Sequence, residues 1–154
     1  WITDTTFRDG QQSRAPYTPE QIVTIYDYLH RLGGPKGLIR QSEFFLYSKK
    51  DRDALYKCME RGYEFPEITS WIRANKADFQ LVKDIGLKET GILVSCSDYH
   101  IFYKMKMNRR QAMEHYLQIV RDCLETGVRP RCHLEDITRS DIFGFVIPFC
   151  LELM

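Results

Sequence analysis

Apolar residues along this chain fall into two alternating rhythms, short β-branched or aromatic runs and longer stretches at helical spacing, and the switch between them recurs. Ile2 to Phe7 is β-branched and aromatic and predicts a strand. Thr18-Pro19-Glu20-Gln21 then combines a capping hydroxyl, a proline at the first helical position and a glutamine at the third, which marks a helix start. Ile22, Ile25, Tyr26, Leu29 and Leu32 follow at helical spacing, and Gly33-Gly34-Pro35 ends the run. A second strand is expected within Leu38 to Phe45, and Ser48 should cap a helix that carries Leu55, Cys58 and Met59 and ends near Gly62. Glu67 to Ile72 predicts a third strand, followed by a shorter helix with Phe79, Val82 and Ile85 that stops at Gly86. Thr90 to Cys96 predicts a fourth strand and Ser97 to Lys106 a loop. Asn108-Arg109-Arg110-Gln111 then opens a helix with Ala112, His115, Tyr116, Ile119, Cys123 and Leu124, closed by Gly127. Arg131 to Glu135 predicts a fifth strand, with Pro130 tolerable only at its start. Ser140 or Asp141 should cap a last helix, bent or broken near Pro148.

Strand signals that are each followed by a helix signal predict a parallel α/β architecture. The pattern admits an open, doubly wound sheet or the first five units of an eight-unit barrel, which normally takes about 250 residues. No G-x-G-x-x-G follows the first strand to favour a dinucleotide fold.

Composition narrows the classes of function. With 154 residues, 44% of them hydrophobic, the chain is of single-domain size and long enough to bury a core. A balance of 22 basic against 21 acidic residues carries no electrostatic footprint for nucleic acid. There is no run of 18 apolar residues and no basic-then-apolar leader, so a soluble cytoplasmic protein without a membrane partner is expected. Cys58, Cys96, Cys123, Cys132 and Cys150 are odd in number and never spaced as C-x-x-C, which argues for reduced thiols rather than a disulfide framework or structural zinc. Trp1 starts directly in a strand and Phe143 to Met154 has no polar exit, so the chain is expected to be a fragment.

In a parallel α/β fold, chemistry gathers at the C-terminal ends of the strands. After the first strand comes Asp4-Thr5-Thr6-Phe7-Arg8-Asp9-Gly10-Gln11-Gln12-Ser13, where a cation beside an anion can hold a metal and a substrate oxygen together. Gly10 is expected to let the backbone turn there. Glu43, between Ile39 and Phe44, would be costly to bury unless paired with a cation such as Arg8. In Thr69 to Ala74, Trp71 reads as a core residue and Arg73 as a further basic candidate. After the fourth strand, Ser95-Cys96-Ser97-Asp98-Tyr99-His100 offers a histidine, while Lys104, Lys106, Arg109 and Arg110 read as a solvated face, or as contacts for a ligand's phosphate. In the fifth strand His133 and Glu135 share one face. Ser140 and Asp141 read as helix caps.

The opening run resembles Asp-x-Thr-Leu-Arg-Asp-Gly-Glu-Gln, the signature of the metal-dependent condensing-enzyme and lyase superfamily, with Phe7 where Leu is usual and Gln11 where Glu is usual. Ser95 to His100 is similar to that family's Ser-x-Ser-Asp-x-His loop, and Glu135 to Ser140 resembles its Glu-Asp-Ala-x-Arg-Ser/Thr segment. The resemblance implies a (β/α)8 TIM barrel of which residues 1–154 are the N-terminal part of a single catalytic domain, about the first five βα units. It implies an acyltransferase of the 2-isopropylmalate synthase or homocitrate synthase kind, serving amino-acid biosynthesis, that joins acetyl-CoA to a small α-keto acid with the help of a divalent cation (Mg, Mn or Zn). A homodimer is implied for the full-length protein.

By the same resemblance Asp9 is a metal ligand, Arg8 stabilises negative charge on the substrate oxygen, and Glu135 takes part in proton handling. Gln12, Glu43, His100 and Arg139 are the implied substrate-binding residues, with Asp136 and Arg139 bracing their loop. The family's remaining metal ligands come from a His-x-His pair on a later strand, and the four histidines of this chain never take that spacing, so a partial site is expected. Three alternatives stay open: a hydroxymethylglutaryl-CoA-lyase-like carbon–carbon lyase, a biotin-dependent carboxyltransferase domain, and a non-catalytic half-barrel binding module. The carboxyltransferases share the Asp-Thr-Thr-Phe-Arg-Asp start but continue Ala-His-Gln-Ser where this chain has Gly10-Gln11-Gln12-Ser13.

Overall fold

Each predicted strand and helix is present in the computed structural model, which describes residues 1–12 and 14–154. Ser13, last residue of the opening signature, lies outside the described residues. The elements are β1 (Ile2–Asp4), α1 (Pro19–Gly33), β2 (Ile39–Phe44), α2 (Lys49–Met59), β3 (Glu67–Arg73), α3 (Lys76–Ile85), β4 (Glu89–Ser95), α4 (Arg109–Glu125), β5 (Arg129–Glu135) and α5 (Ile147–Leu153). They form two compact units, Trp1–Trp71 with Ile85–Leu87, and Ile72–Asp84 with Lys88–Met154. No helix among the described residues is long and apolar enough to cross a membrane.

In the first unit β1 pairs with β2 and β2 with β3, all parallel, with Asp4 opposite Ser42 and Glu43 opposite Thr69. Parallel neighbours need crossover helices, and the capping chemistry read from sequence starts them. Thr18 accepts from the Gln21 N–H while the Gln21 side chain accepts from the Thr18 N–H, a complete capping box, and Ser48 accepts from the Asp51 N–H. Phe7, Ile22, Tyr26, Phe44, Leu46 and Leu55 are fully buried in this unit, with the Phe7 and Phe44 rings 4.7 Å apart.

In the second unit β4 and β5 are parallel in register from Glu89 opposite Arg129 to Ser95 opposite Glu135. β4 is buried on both faces, as a helix-covered parallel strand should be. Asn108 and Gln111 form a second capping box at the start of α4. Tyr116, Phe145 and Phe149 pack as a ring cluster behind the strands, with Tyr116 to Phe149 at 5.9 Å.

Four local expectations are corrected. β1 stops at Asp4 rather than running to Phe7, because the Asp4 carboxylate turns the chain back by accepting from the Thr6 hydroxyl at 2.6 Å and the Thr6 N–H at 3.3 Å. The Thr5 carbonyl completes the turn by accepting from the Arg8 and Gly10 N–H groups. Gly10 therefore has no part in making the turn through glycine's freedom: it is outside the left-handed region, and a Cβ there would meet Thr6 Cγ2 at an ordinary 3.6 Å. Ser97 to Lys106 is not all loop but contains a π-helical turn at Tyr99–Lys104 that buries Ile101. Leu32, Met59 and Leu124 are exposed where their helices end, and Val23 and Val120 are buried instead.

Two boundaries take more definite form than sequence allows. β5 begins at Arg129, so Pro130 is its second residue, near the start as required. Asp141 rather than Ser140 caps the last helical segment by accepting from the Gly144 N–H at 2.8 Å, and the segment passes from π-helical winding (Ile142–Val146) to α5 just before Pro148.

Gly37 is where glycine is required. Its φ is +59° and a Cβ would lie 2.4 Å from the Phe65 ring. Left-handed strain of roughly 1–2 kcal/mol and overpacking of roughly 1–3 kcal/mol predict a loss of about 3 kcal/mol for Gly37→Ala, against under about 0.5 kcal/mol for Gly10→Ala. Urea midpoints of the two variants check this, and equal midpoints would refute it.

Candidate functional site

Polar side chains cluster just beyond the C-terminal ends of the strands in each unit, and each cluster is described by itself.

In the first unit the turn after β1 delivers Arg8 against the end of β2. Arg8 Nε donates to Glu43 Oε2 at 2.7 Å, and Nη1 donates to Asp9 Oδ1 at 2.8 Å. Glu43 is 1% exposed, so the cation that burial demanded is the one named from sequence. The Arg8 guanidinium carbon stands 3.9 Å over the Trp71 ring at the end of β3. Trp71 is thus a cation platform rather than the core residue expected from sequence. Arg8 Nη2 takes no partner among the described residues, which leaves its N–H groups for a further acceptor.

Asp9 Oδ1 also accepts from Gln12 Nε2 at 3.1 Å, so Gln12 braces the carboxylate from the next turn. Gln11, the departure from the signature's Glu, is used at both ends of its amide: Nε2 donates to the Phe7 carbonyl at 2.7 Å and Oε1 accepts from the Tyr17 N–H at 2.9 Å. A carboxylate could not donate the first of these bonds. Asp4 Oδ2 accepts from Ser42 on β2 at 2.8 Å and ties the turn to the sheet.

The second unit gathers its donors on one oxygen. Glu135 Oε2, at the end of β5, accepts a short hydrogen bond from the Ser95 hydroxyl at the end of β4. His100 Nδ1 is 3.2 Å from the same oxygen, off the line of a hydrogen bond, and Lys104 Nζ is 3.7 Å away. Both come from the π-helical turn, the element that sequence periodicity missed. The short-range signal for Ser95 lay in its own motif, whereas nothing local marked Lys104 as a partner of Glu135. Asp136 follows in the left-handed region (φ 63°), held there by Arg139 through paired bonds of 2.6 and 2.8 Å and by the Ser140 hydroxyl on its carbonyl. Those Arg139 bonds hold the Asp136 carboxyl below the usual carboxylate range. Ser95 and Lys104 also line a cavity of roughly 210 Å³ with Arg73, Asn75, His115 and Tyr116. Arg73 itself grips Asp78 with two bonds, of 2.8 and 2.9 Å.

Arg109 is engaged in structure. It donates twice to Asp98, at 2.8 and 2.7 Å, and once to Asp141, at 2.8 Å, joining the loop after β4 to the cap of the last helix. Arg109 holds the Asp98 carboxyl below its ordinary value, and the Gly144 N–H followed by Arg109 does the same for Asp141. With depressed folded values, the stability these groups contribute is present above the ordinary aspartate value near about 4 and is lost as pH falls through the folded values. Arg109→Met should therefore flatten the fall in thermal midpoint on acidification, and a parallel fall in both proteins would contradict the clamp.

The cysteines are unpaired with one another, and burial pushes the thiols of Cys58, Cys96 and Cys123 up to about 12 and that of Cys132 up to about 11, which disfavours their reactive thiolate forms. Among the described residues no three His, Cys, Asp or Glu side chains converge to hold a metal ion. A hard divalent cation takes about six oxygen ligands, so Asp9, half exposed and with no bond to its Oδ2 among the described residues, fits as one ligand of such a site and not as a site.

Comparison with known proteins places this geometry. The chain is 66% identical over 154 residues to Citrate (Re)-synthase of Clostridium kluyveri, covering all of this chain and 34% of that protein. It is 46% identical over 143 residues to 2-phosphinomethylmalate synthase of Streptomyces hygroscopicus, covering 91% of this chain and 32% of that one. It thus spans about a third of the length of these curated relatives. Among solved structures, the HMG-CoA lyase of Bacillus subtilis superposes with a TM-score of 0.66 at 16% identity, over 99% of this chain and 53% of that one, a likeness of fold. The five parallel βα units are accordingly part of a (β/α)-barrel. The HMGL-like family model matches residues 1–148, and the chain belongs to the HMGL-like family.

Proposed function

We propose that this chain is the N-terminal part of the catalytic barrel of an acyltransferase that condenses acetyl-CoA with an α-keto acid, and that the keto acid is oxaloacetate and the product citrate. The observation that carries the reading is the 66% identity, over all 154 residues, to Citrate (Re)-synthase of Clostridium kluyveri. Disconnecting citrate between an acetyl-derived methylene and the carbinol carbon leaves oxaloacetate. In the forward direction a base takes a methyl proton of acetyl-CoA, the new carbon–carbon bond forms at the keto carbon, and the carbonyl electron pair moves onto oxygen and is protonated. Water then cleaves the thioester and releases the CoA thiol.

Arg8 directs an N–H at the oxygen where charge develops, with Glu43 fixing the guanidinium. Asp9, braced by Gln12, supplies one carboxylate oxygen to a divalent cation, which polarises the keto group when bound. Glu135 is anchored through Oε2, so Oε1 is the oxygen that meets substrate or carries a proton, and His100 beside it contacts the keto acid. Arg139 keeps Asp136 in its turn and so sets where β5 ends. Acetyl-CoA, the keto acid and a second copy of the full-length protein are the proposed partners.

The lyase reading has less support, because the lyase structures share fold at 16% identity while the relatives at 46% and above are named as synthases. The test is an assay of the full-length protein with acetyl-CoA and oxaloacetate, then with branched-chain keto acids, then with hydroxymethylglutaryl-CoA alone. Citrate formation that stops with a chelator and resumes with divalent metal is expected. Cleavage of hydroxymethylglutaryl-CoA without citrate formation would overturn the reading.

A further inference from the structure

Arg8 is held in its own plane by two bonds, Nε to Glu43 Oε2 at 2.7 Å and Nη1 to Asp9 Oδ1 at 2.8 Å. Bonds that lie in the guanidinium plane resist sliding and in-plane rotation but leave the group able to tilt about the line that joins them. The Trp71 indole, 3.9 Å from the guanidinium carbon, blocks that tilt and keeps water off one face of a cation only 11% exposed. We propose that Trp71 is a positioning residue for Arg8, fixing the tilt of the guanidinium so that Nη2 is presented to the substrate oxygen.

The inference rests on the condensing role proposed for Arg8. A preorganised donor is worth most where water is excluded and no reorientation is needed as charge develops, and the stacked ring supplies both conditions. A residue that merely fills space at the end of β3 would be replaceable by any apolar side chain of similar bulk. A residue that acts through Arg8 needs an aromatic face and loses its effect when Arg8 is gone.

The experiment is a kinetic cycle in the full-length protein with W71F, W71L, R8Q and W71L/R8Q. W71L is expected to lower kcat roughly tenfold or more with the KM for acetyl-CoA within about twofold, while W71F keeps most of the activity. In the R8Q background W71L should change kcat by less than about twofold, because the two residues act as one unit. Trp71→Met takes the place of W71L if that variant does not accumulate folded. Equal loss in W71F and W71L, or a full loss for W71L on top of R8Q, would overturn the proposal.

A second readout does not depend on turnover. In protein labelled with ¹⁵N-arginine, the Arg8 Nε–H resonance, identified by its disappearance in R8Q, should carry a ring-current displacement that W71L removes and W71F retains. A resonance unmoved by W71L would overturn the proposal. If wild-type protein forms no citrate while the resonance behaves as described, the condensation reading fails and the placement of Arg8 by Trp71 stands.

Discussion

Arg8→Ala in the full-length protein should lower turnover by about 10²–10³ while changing affinity for the divalent cation by only a few-fold. Every side-chain hydrogen bond Arg8 makes among the described residues goes to a carboxylate that orients it, and Nη2 is left for the proposed substrate contact. In the proposed role, removing the side chain deletes a donor aimed at developing charge. Asp9 keeps its Gln12 contact at 3.1 Å, so the carboxylate stays near its place. Asp9→Ala behaves differently and should lower both turnover and metal affinity, because it removes the proposed ligand as well as an Arg8 anchor. Arg8→Lys should not rescue the first variant, since an ammonium cannot engage Glu43 and Asp9 and still present a planar N–H to a third acceptor. Steady-state citrate formation and calorimetric metal titration check these outcomes together. Unchanged turnover in either alanine variant would refute the assignment of the Arg-Asp pair.

Glu135→Gln should lower kcat by about 10²–10⁴ without unfolding the protein. The substitution keeps the shape of a side chain that is 31% exposed, so little packing is lost. What it removes is the anion toward which the Ser95 hydroxyl, His100 and Lys104 all converge. A glutamine amide can accept from Ser95, but it neither balances Lys104 nor carries a transferable proton on Oε1. Ser95→Ala should fall between wild type and Glu135→Gln, because it frees the carboxylate to rotate while leaving its charge. Thermal midpoints within a few degrees of wild type, together with the ordering of kcat values, check this. Wild-type kcat in Glu135→Gln would remove Glu135 from the chemistry.

The expectations that held are those whose physics is local. Thr18, Ser48 and Asn108 start helices because a side-chain oxygen three residues from a backbone N–H satisfies an orphan donor wherever the chain goes next. The pairing of Glu43 with Arg8 was legible for a related reason: a carboxylate buried at the end of a strand requires a cation, and Arg8 also stands at a strand end. Expectations failed where a side-chain turn or a contact across the fold overrode the local pattern. Ile2 to Phe7 reads as continuous strand, yet β1 stops where Asp4 reaches both Thr6 and Ser42 of β2. Trp71 reads as core from its own bulk and the Ile72 beside it, and its partner Arg8 lies far along the chain.

The sequence by itself therefore determined the order of strands and helices, the parallel α/β class and the polar residues placed at strand ends, because hydrophobic period, caps and burial costs act over a few residues. Only the tertiary structure decided which atoms meet: that Trp71 covers Arg8, that Ser95, His100 and Lys104 all converge on one oxygen of Glu135, and that Arg109 serves Asp98 and Asp141. These contacts join residues distant in sequence. Their geometry is set by strand register and by the turns that end each strand, which no local pattern encodes.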